Sequence, residues 1–340
     1  MKKIRRILIL IFFTSSLLML VAIRSQNAAK KINGTVCNFV RELLNRLTAP
    51  FSVSVFELVV FFSPLLIFLV VRYVLKGEFN AKVRFLKVLS LFSLIPTLFF
   101  LTIGISAHTC PIVRVGTSSP TYEELVICSE KLIEEVKVQP DIKADVLSIK
   151  ELRSELEKSY FEIAGELGID IKKLPEPKVL SASWLANRLG ILGHYSFLTG
   201  EININPDIPT YMIPFSLAHE YAHYLGIANE AEANFLAFLV CTKSNEPYIK
   251  YSGALSTLEY FLSDVHKNSS EEYARLYSLL SDAARSCLKE SYEYTEKYSG
   301  SYIYQAAEEI NSSYIGAHDK NGSFSYSAVC RYVTQYLLYS

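Results

Sequence analysis

Three long apolar runs in the first third of the chain constrain its fold more than any other feature, because a charge-free run long enough to cross a bilayer has no stable place facing water. The first, residues 7–23, follows Lys2, Lys3, Arg5 and Arg6. The second covers residues 51–71 with Glu57 near one end, and the third covers residues 88–106 and is interrupted by Pro96. A membrane helix tolerates a proline as a kink, and a carboxylate so near the interface suits snorkelling or helix packing. A secretory leader begins like the first run, but no small-residue cleavage site follows directly, so a retained anchor is expected. The expected architecture is a bundle of three transmembrane helices over residues 1–106, followed by one domain over residues 107–340 that is mainly α with a small β-hairpin or sheet.

Basic residues set the expected orientation. Four lie at the amino terminus, and the loop between the second and third runs carries Arg72, Lys76, Lys82, Arg84 and Lys87 against Glu78, so both should face the cytoplasm. The first loop also carries Arg24, Lys30, Lys31, Arg41 and Arg46, which makes the bias moderate. Three crossings then put everything after about residue 107 on the outer face of the cell membrane. Cys37, Cys110, Cys128, Cys241, Cys287 and Cys330 all fall on that side. Such a distribution fits disulfides in an oxidising compartment, and scattered buried thiols fit the spacing equally well. Lys+Arg and Asp+Glu both number 34, so no basic field exists to draw nucleic acid.

The second constraint is local. His219 and His223 stand four residues apart, one turn of an α-helix, so both imidazoles can reach one ion. Glu220 points about 100° round the same helix, where a carboxylate can take a proton from a metal-bound water without ligating the metal. Chance alone produces H-E-x-x-H in roughly one chain in a hundred of this composition, so the context has to carry the reading. Leu217, Ala218, Ala222 and Leu225 give the helix an apolar flank, and Gly226 sits where it should stop.

A fresh helical pattern follows and offers the third ligand. With Asn229 as N-cap, Glu232 falls at N3 and the two make a capping box, which leaves Glu232 a structural task. Glu230 has no such task and is the favoured ligand, with Glu232 the alternative. Asn229, three residues after Gly226, occupies the place of a third histidine in the longer motif, but a neutral amide is a poor zinc ligand. Asn234 lies one turn after Glu230, where its amide could support a ligating carboxylate as an outer partner.

These residues resemble the gluzincin clan of peptidases, with H-E-x-x-H on one helix and E-x-x-x-D on the next, Asn234 standing in the place of the Asp. More closely, the chain resembles a bacterial domain-of-unknown-function family of membrane-anchored, zinc-peptidase-like proteins. The matching segments are Phe197-Leu-Thr-Gly-Glu201, His219-Glu-Tyr-Ala-His-Tyr-Leu-Gly226, Glu230-Ala-Glu-Ala-Asn-Phe-Leu-Ala237 and Tyr251-Ser-Gly253. The resemblance implies an α+β zincin-like domain at residues 107–340, one zinc ion held by His219, His223 and Glu230, Glu220 as the catalytic base, and a peptide or protein substrate. The rival expectation is a non-enzymatic sensor or assembly protein with a structural or vestigial metal site.

Elsewhere, residues 121–167 read as two charged helices. Tyr195 to Thr199 and Ile202 to Asn205, around Gly200-Glu201, read as a β-hairpin close before the metal helix, as in zincins whose strand edge pairs with extended substrate. His194, at its start, is expected to be a solvent-facing turn histidine. Pro206, Pro209 and Pro214 punctuate the link into the metal helix, which should start near Ile213 or Phe215. Further helices are expected at 256–265, 271–292 and 325–338, and Tyr224, Tyr251, His266 and His318 are candidates for an electrophilic donor. An intramembrane site is disfavoured, because the stretch from Ala218 to Asn234 holds too many ionisable groups for a lipid-facing helix.

Overall fold

A computed structural model describes residues 2–76, 80–113, 118–137, 146–168, 171, 173–309 and 326–339. Its chain falls into two compact units: Met1–Cys110 together with Tyr195–Glu201, and Pro111–His194 together with Ile202–Ser340.

The first unit contains α1 (Lys2–Arg24), α2 (Gln26–Ile32), a π-helical turn at Asn33–Cys37, α3 (Asn38–Thr48), α4 (Val55–Lys76), α5 (Ala81–Phe92), α6 (Leu94–Phe99) and a second π-helical turn at Phe100–Gly104. Three stretches, Lys3–Arg24, Val55–Tyr73 and Lys82–Gly104, are long and apolar enough to cross a membrane. The apolar side chains of α4 are largely exposed, Phe61 to 77 %. Pro64 has no N–H to give to Val60, and the Ser63 hydroxyl donates to that carbonyl instead at 2.8 Å.

The boundaries differ from the sequence expectation for identifiable reasons. The second helix begins at Val55, four residues later than expected, where its first amides find acceptors: the Glu57 N–H donates to Ser54 Oγ at 3.1 Å, and Val55 and Phe56 donate to the Glu201 carboxylate at 3.0 and 2.8 Å. The third crossing begins six residues earlier than expected, because Asn80 caps α5 by accepting from the Val83 N–H at 2.9 Å. Lys82, Arg84 and Lys87 are therefore helical; Glu78 lies outside the described residues. Pro96 cannot donate to Phe92, and the helix breaks at Ser93, between α5 and α6. The first loop is itself helical. Arg41, counted above as a loop charge, is 1 % exposed and donates to Asn33 Oδ1 and to the Thr102 carbonyl, both at 2.8 Å. It thereby ties the two π-helical turns together.

The second unit contains α7 (Tyr122–Lys137), α8 (Ile149–Leu167), β1 (Lys178–Val179), α9 (Ser183–Arg188), β2 (Gly193–Tyr195, whose last residue belongs to the first unit), β3 (Ile202–Ile204), α10 (Met212–Tyr224), α11 (Glu230–Lys243), α12 (Pro247–Asn268), α13 (Ser270–Ser278), α14 (Asp282–Ser299), α15 (302–309) and α16 (Tyr326–Tyr339). Mainly helical, with a small sheet, is thus the observed class. The sheet has strand order β1-β3-β2, with β1 and β3 parallel. The expected hairpin exists with its strands shifted: Tyr195 ends β2, and Phe197 to Thr199 form the turn. The Ser196 N–H donates to the Glu201 carbonyl and the Asn205 N–H to the Leu192 carbonyl, each at 2.9 Å. The expected single helix at 271–292 is two, since Ser281 accepts from the Ala284 N–H at 3.2 Å and starts α14 afresh. All six cysteines are free thiols.

The core of this unit surrounds α10 and α11. Both are apolar on nearly every side, which is the pattern of a helix enclosed by others. Tyr160 of α8 donates to the Ala218 carbonyl at 2.6 Å, Tyr221 donates to the Pro175 carbonyl at 2.9 Å, and Ser252 of α12 accepts from the Phe215 N–H at 3.0 Å. Gly253 lets α12 approach α11 closely, because a Cβ there would overlap the Cβ of Cys241.

Candidate metal centre

The turn between α10 and α11 aims the site. Gly226 has φ +91°, which its lack of a Cβ permits, and the Ile227 N–H donates to Ala222 while the Gly226 N–H donates to His223, at 3.1 and 2.9 Å. This is a Schellman closure of α10. It brings the Ile227 carbonyl to 2.7 Å from His223 Nδ1. A carbonyl only accepts, so that nitrogen carries the hydrogen and Nε2 presents a lone pair. His219 is set in the same way, with Nδ1 at 2.8 Å from Asn234 Oδ1.

The two Nε2 atoms converge at 2.9 Å. Asn229 caps α11, accepting from the Glu232 N–H at 3.0 Å, so Glu230 is the first residue of that helix, where the positive end of the helix dipole favours a carboxylate. Glu230 Oε2 lies 3.2 Å from His219 Nε2 and 3.5 Å from His223 Nε2. Tetrahedral bonds of about 2.1 Å place ligand atoms about 3.4 Å apart. Three acceptors brought this close repel one another unless a cation or a proton sits between them, and these three residues could hold a metal ion. The electrostatics agree. Burial alone would lower the pKa of His223, but the Glu230 carboxylate beside it prevails and lifts it to about 9. For Glu230, burial works upward and the two rings overcome it, holding the carboxyl well below the ordinary range.

Of the candidate ligands, then, Glu230 meets the two histidines, and Glu232 does not. The Glu232 carboxylate accepts from the Ile112 N–H at 3.3 Å and from the Tyr332 hydroxyl at 3.2 Å. Of the expected capping box, the bond from the Glu232 N–H to Asn229 Oδ1 is present. Asn229 is a cap, and Asn234 serves His219 instead of the Glu230 carboxylate. Glu220 is buried, and its side chain lies along β2: a Cβ on Gly193 would come within 2.9 Å of Glu220 Cγ and 3.2 Å of Oε1.

His194 departs from expectation. It sits half-buried in β2, and desolvation, reinforced by the positive charge of His223, pushes its pKa down to about 4. No local pattern signals this, since its neighbours in space come from α10 and β3. Among the proposed electrophilic donors, Tyr224 and Tyr251 are buried, His266 is exposed and packs on Tyr273, and His318 lies outside the described residues.

Fold and site together define a helical protein with three membrane-crossing candidates and a His-His-Glu constellation on two consecutive helices. The family model described as Protein of unknown function (DUF3810) matches residues 7–334, and the chain belongs to that family. Comparison with curated proteins and with solved structures gives no match.

Proposed function

We propose that this chain is a membrane-anchored, zinc-dependent peptidase of gluzincin type, with its carboxy-terminal unit on the outer face. The observation that carries the reading is the convergence of His219 Nε2, His223 Nε2 and Glu230 Oε2, with Glu220 on the same helix as the histidines and beside Gly193. Zinc held by those three side chains would act as a Lewis acid and bring the pKa of a bound water toward neutrality. Glu220 takes a proton from the attacking water and passes it to the leaving amine. Asn234 and the Ile227 carbonyl keep both imidazoles in the tautomer that presents Nε2. Because β2 is an end strand and lies against Glu220, its edge suits an extended peptide.

Glu220→Gln in the purified full chain should retain about one zinc per chain and lose hydrolysis of an unfolded protein substrate. Retained hydrolysis would remove Glu220 from its role.

A second reading, a sensor or assembly protein with a structural metal, draws on Asn234, a neutral amide where gluzincin peptidases hold an acid. Zinc binding with no cleavage across a broad peptide library, and with all four coordination positions filled by protein, would establish it.

A further inference from the structure

The segment Phe197-Leu-Thr-Gly-Glu201 has no task in the reaction above, yet the first unit holds it from α3, α4 and α6. Asn45 Nδ2 and Thr48 Oγ1 of α3 donate to the Gly200 and Thr199 carbonyls at 3.1 and 3.2 Å, and the ring of Phe99 in α6 meets that of Phe197 edge-on at 5.8 Å. Gly200, at φ +69°, leaves no room for a side chain, since a Cβ there would come within 2.7 Å of the Asn45 nitrogen. Glu201 is 1 % exposed, and both of its carboxylate oxygens accept from the first amides of α4. Two charge-assisted hydrogen bonds and the positive end of a 22-residue helix thus anchor a buried carboxylate.

In both directions the chain leaves this loop for the second unit close to the proposed general base. Gly193 stands two residues before Tyr195, and Asn203 two residues after Glu201. Within the second unit, a Cβ on Gly193 would come within 2.9 Å of Glu220 Cγ, 3.2 Å of its Oε1 and 3.3 Å of the Asn203 carbonyl oxygen, so the carboxylate and both strands fit without slack. Two residues of strand span about 7 Å of extended backbone, too little to absorb a displacement of the loop. The three metal-binding side chains come from α10 and α11, so the loop bears on the base and leaves the ligands alone.

We propose that Glu201 is a positioning residue: by fixing the loop on α4 it sets where Gly193 stands, and through Gly193 the Glu220 carboxylate. The proposal rests on the peptidase reading and is tested on the zinc-loaded full chain in detergent. Wild type, Glu201→Gln and Glu201→Ala are compared by zinc stoichiometry, by separate kcat and KM for a peptide, and by hydrogen exchange over residues 55–58 and 193–205. The expected result is unchanged zinc in both variants. In Glu201→Ala, exchange quickens over both segments and kcat falls by about 10²-fold with little change in KM. Glu201→Gln, whose amide oxygen still accepts from one of the two amides, falls between. Wild-type kcat in Glu201→Ala, with exchange raised over residues 55–58 alone, makes Glu201 a cap of α4; it overturns the proposal and leaves the peptidase reading standing. Loss of zinc or of the native melting transition in both variants overturns it too, by assigning Glu201 a general structural role. A wild-type chain that binds zinc and cleaves no peptide overturns the peptidase reading and the proposal with it.

Discussion

At the scale of single residues, the neighbourhood of α11 separates two acids two positions apart. Glu230 faces the histidines, whereas Glu232 is enclosed with Tyr332 and the Ile112 amide, and burial raises its pKa to about 7. Its sign is that of a group held neutral. The folded state keeps the proton more tightly than the unfolded one, so the stability it contributes is fully present below about pH 4.5 and is lost as pH rises through about 7. Glu232→Gln, whose amide oxygen can accept from the Ile112 N–H while its NH2 donates to the Tyr332 hydroxyl oxygen, should flatten that loss, with a ceiling of about 3 kcal/mol, measured by denaturant unfolding at pH 5 and pH 8. Asn234→Leu removes the acceptor that orients His219, and zinc affinity by competition with a chelating dye should fall about 10–100-fold with the fold intact. The pairing of the two histidines and the caps of their helices were legible in the sequence because H-E-x-x-H, Gly226 and Asn229 act through neighbours a turn away. The second destination of Glu232 was not, since Ile112 and Tyr332 are remote in the chain. Nor was the half-buried strand position of His194, which depends on strand register.

At the scale of elements, helices were read correctly wherever apolar periodicity and caps agreed, as at α10 and α11. Errors fell where one short-range group overrode the pattern. Ser281 divides an otherwise continuous helical stretch, and Glu201 supplies α4 with a terminus that its own sequence lacks. The packing of α11 on α12 turns on Gly253. Gly253→Ala forces the two helices apart or displaces Cys241, and should cost about 1–3 kcal/mol in thermal or denaturant unfolding. The paired change with Cys241→Gly should recover part of that loss.

At the scale of the whole molecule, two compact units predict two separable responses. Chelating the metal should lower the melting temperature of the second unit alone, by the equivalent of about 4 kcal/mol when zinc had stood at a thousand times its Kd. A single transition shifting as one would show the units to be energetically inseparable. The outward placement of the second unit is checked by protease treatment of sealed vesicles of known sidedness. Protection in right-side-out vesicles would reverse the orientation argued from the basic residues, against which the first loop counts one charge fewer because Arg41 is buried. The anchoring of both imidazoles through Nδ1 carries a last consequence. With both remaining nitrogens turned inward and a carboxylate beside them, the ion-free pocket holds a hydrogen ion on His223 at neutral pH, and filling it is an exchange. Each arriving zinc should expel about one hydrogen ion near pH 7, so the apparent heat of uptake will scale with the ionisation enthalpy of the buffer, and acidification alone will empty the site.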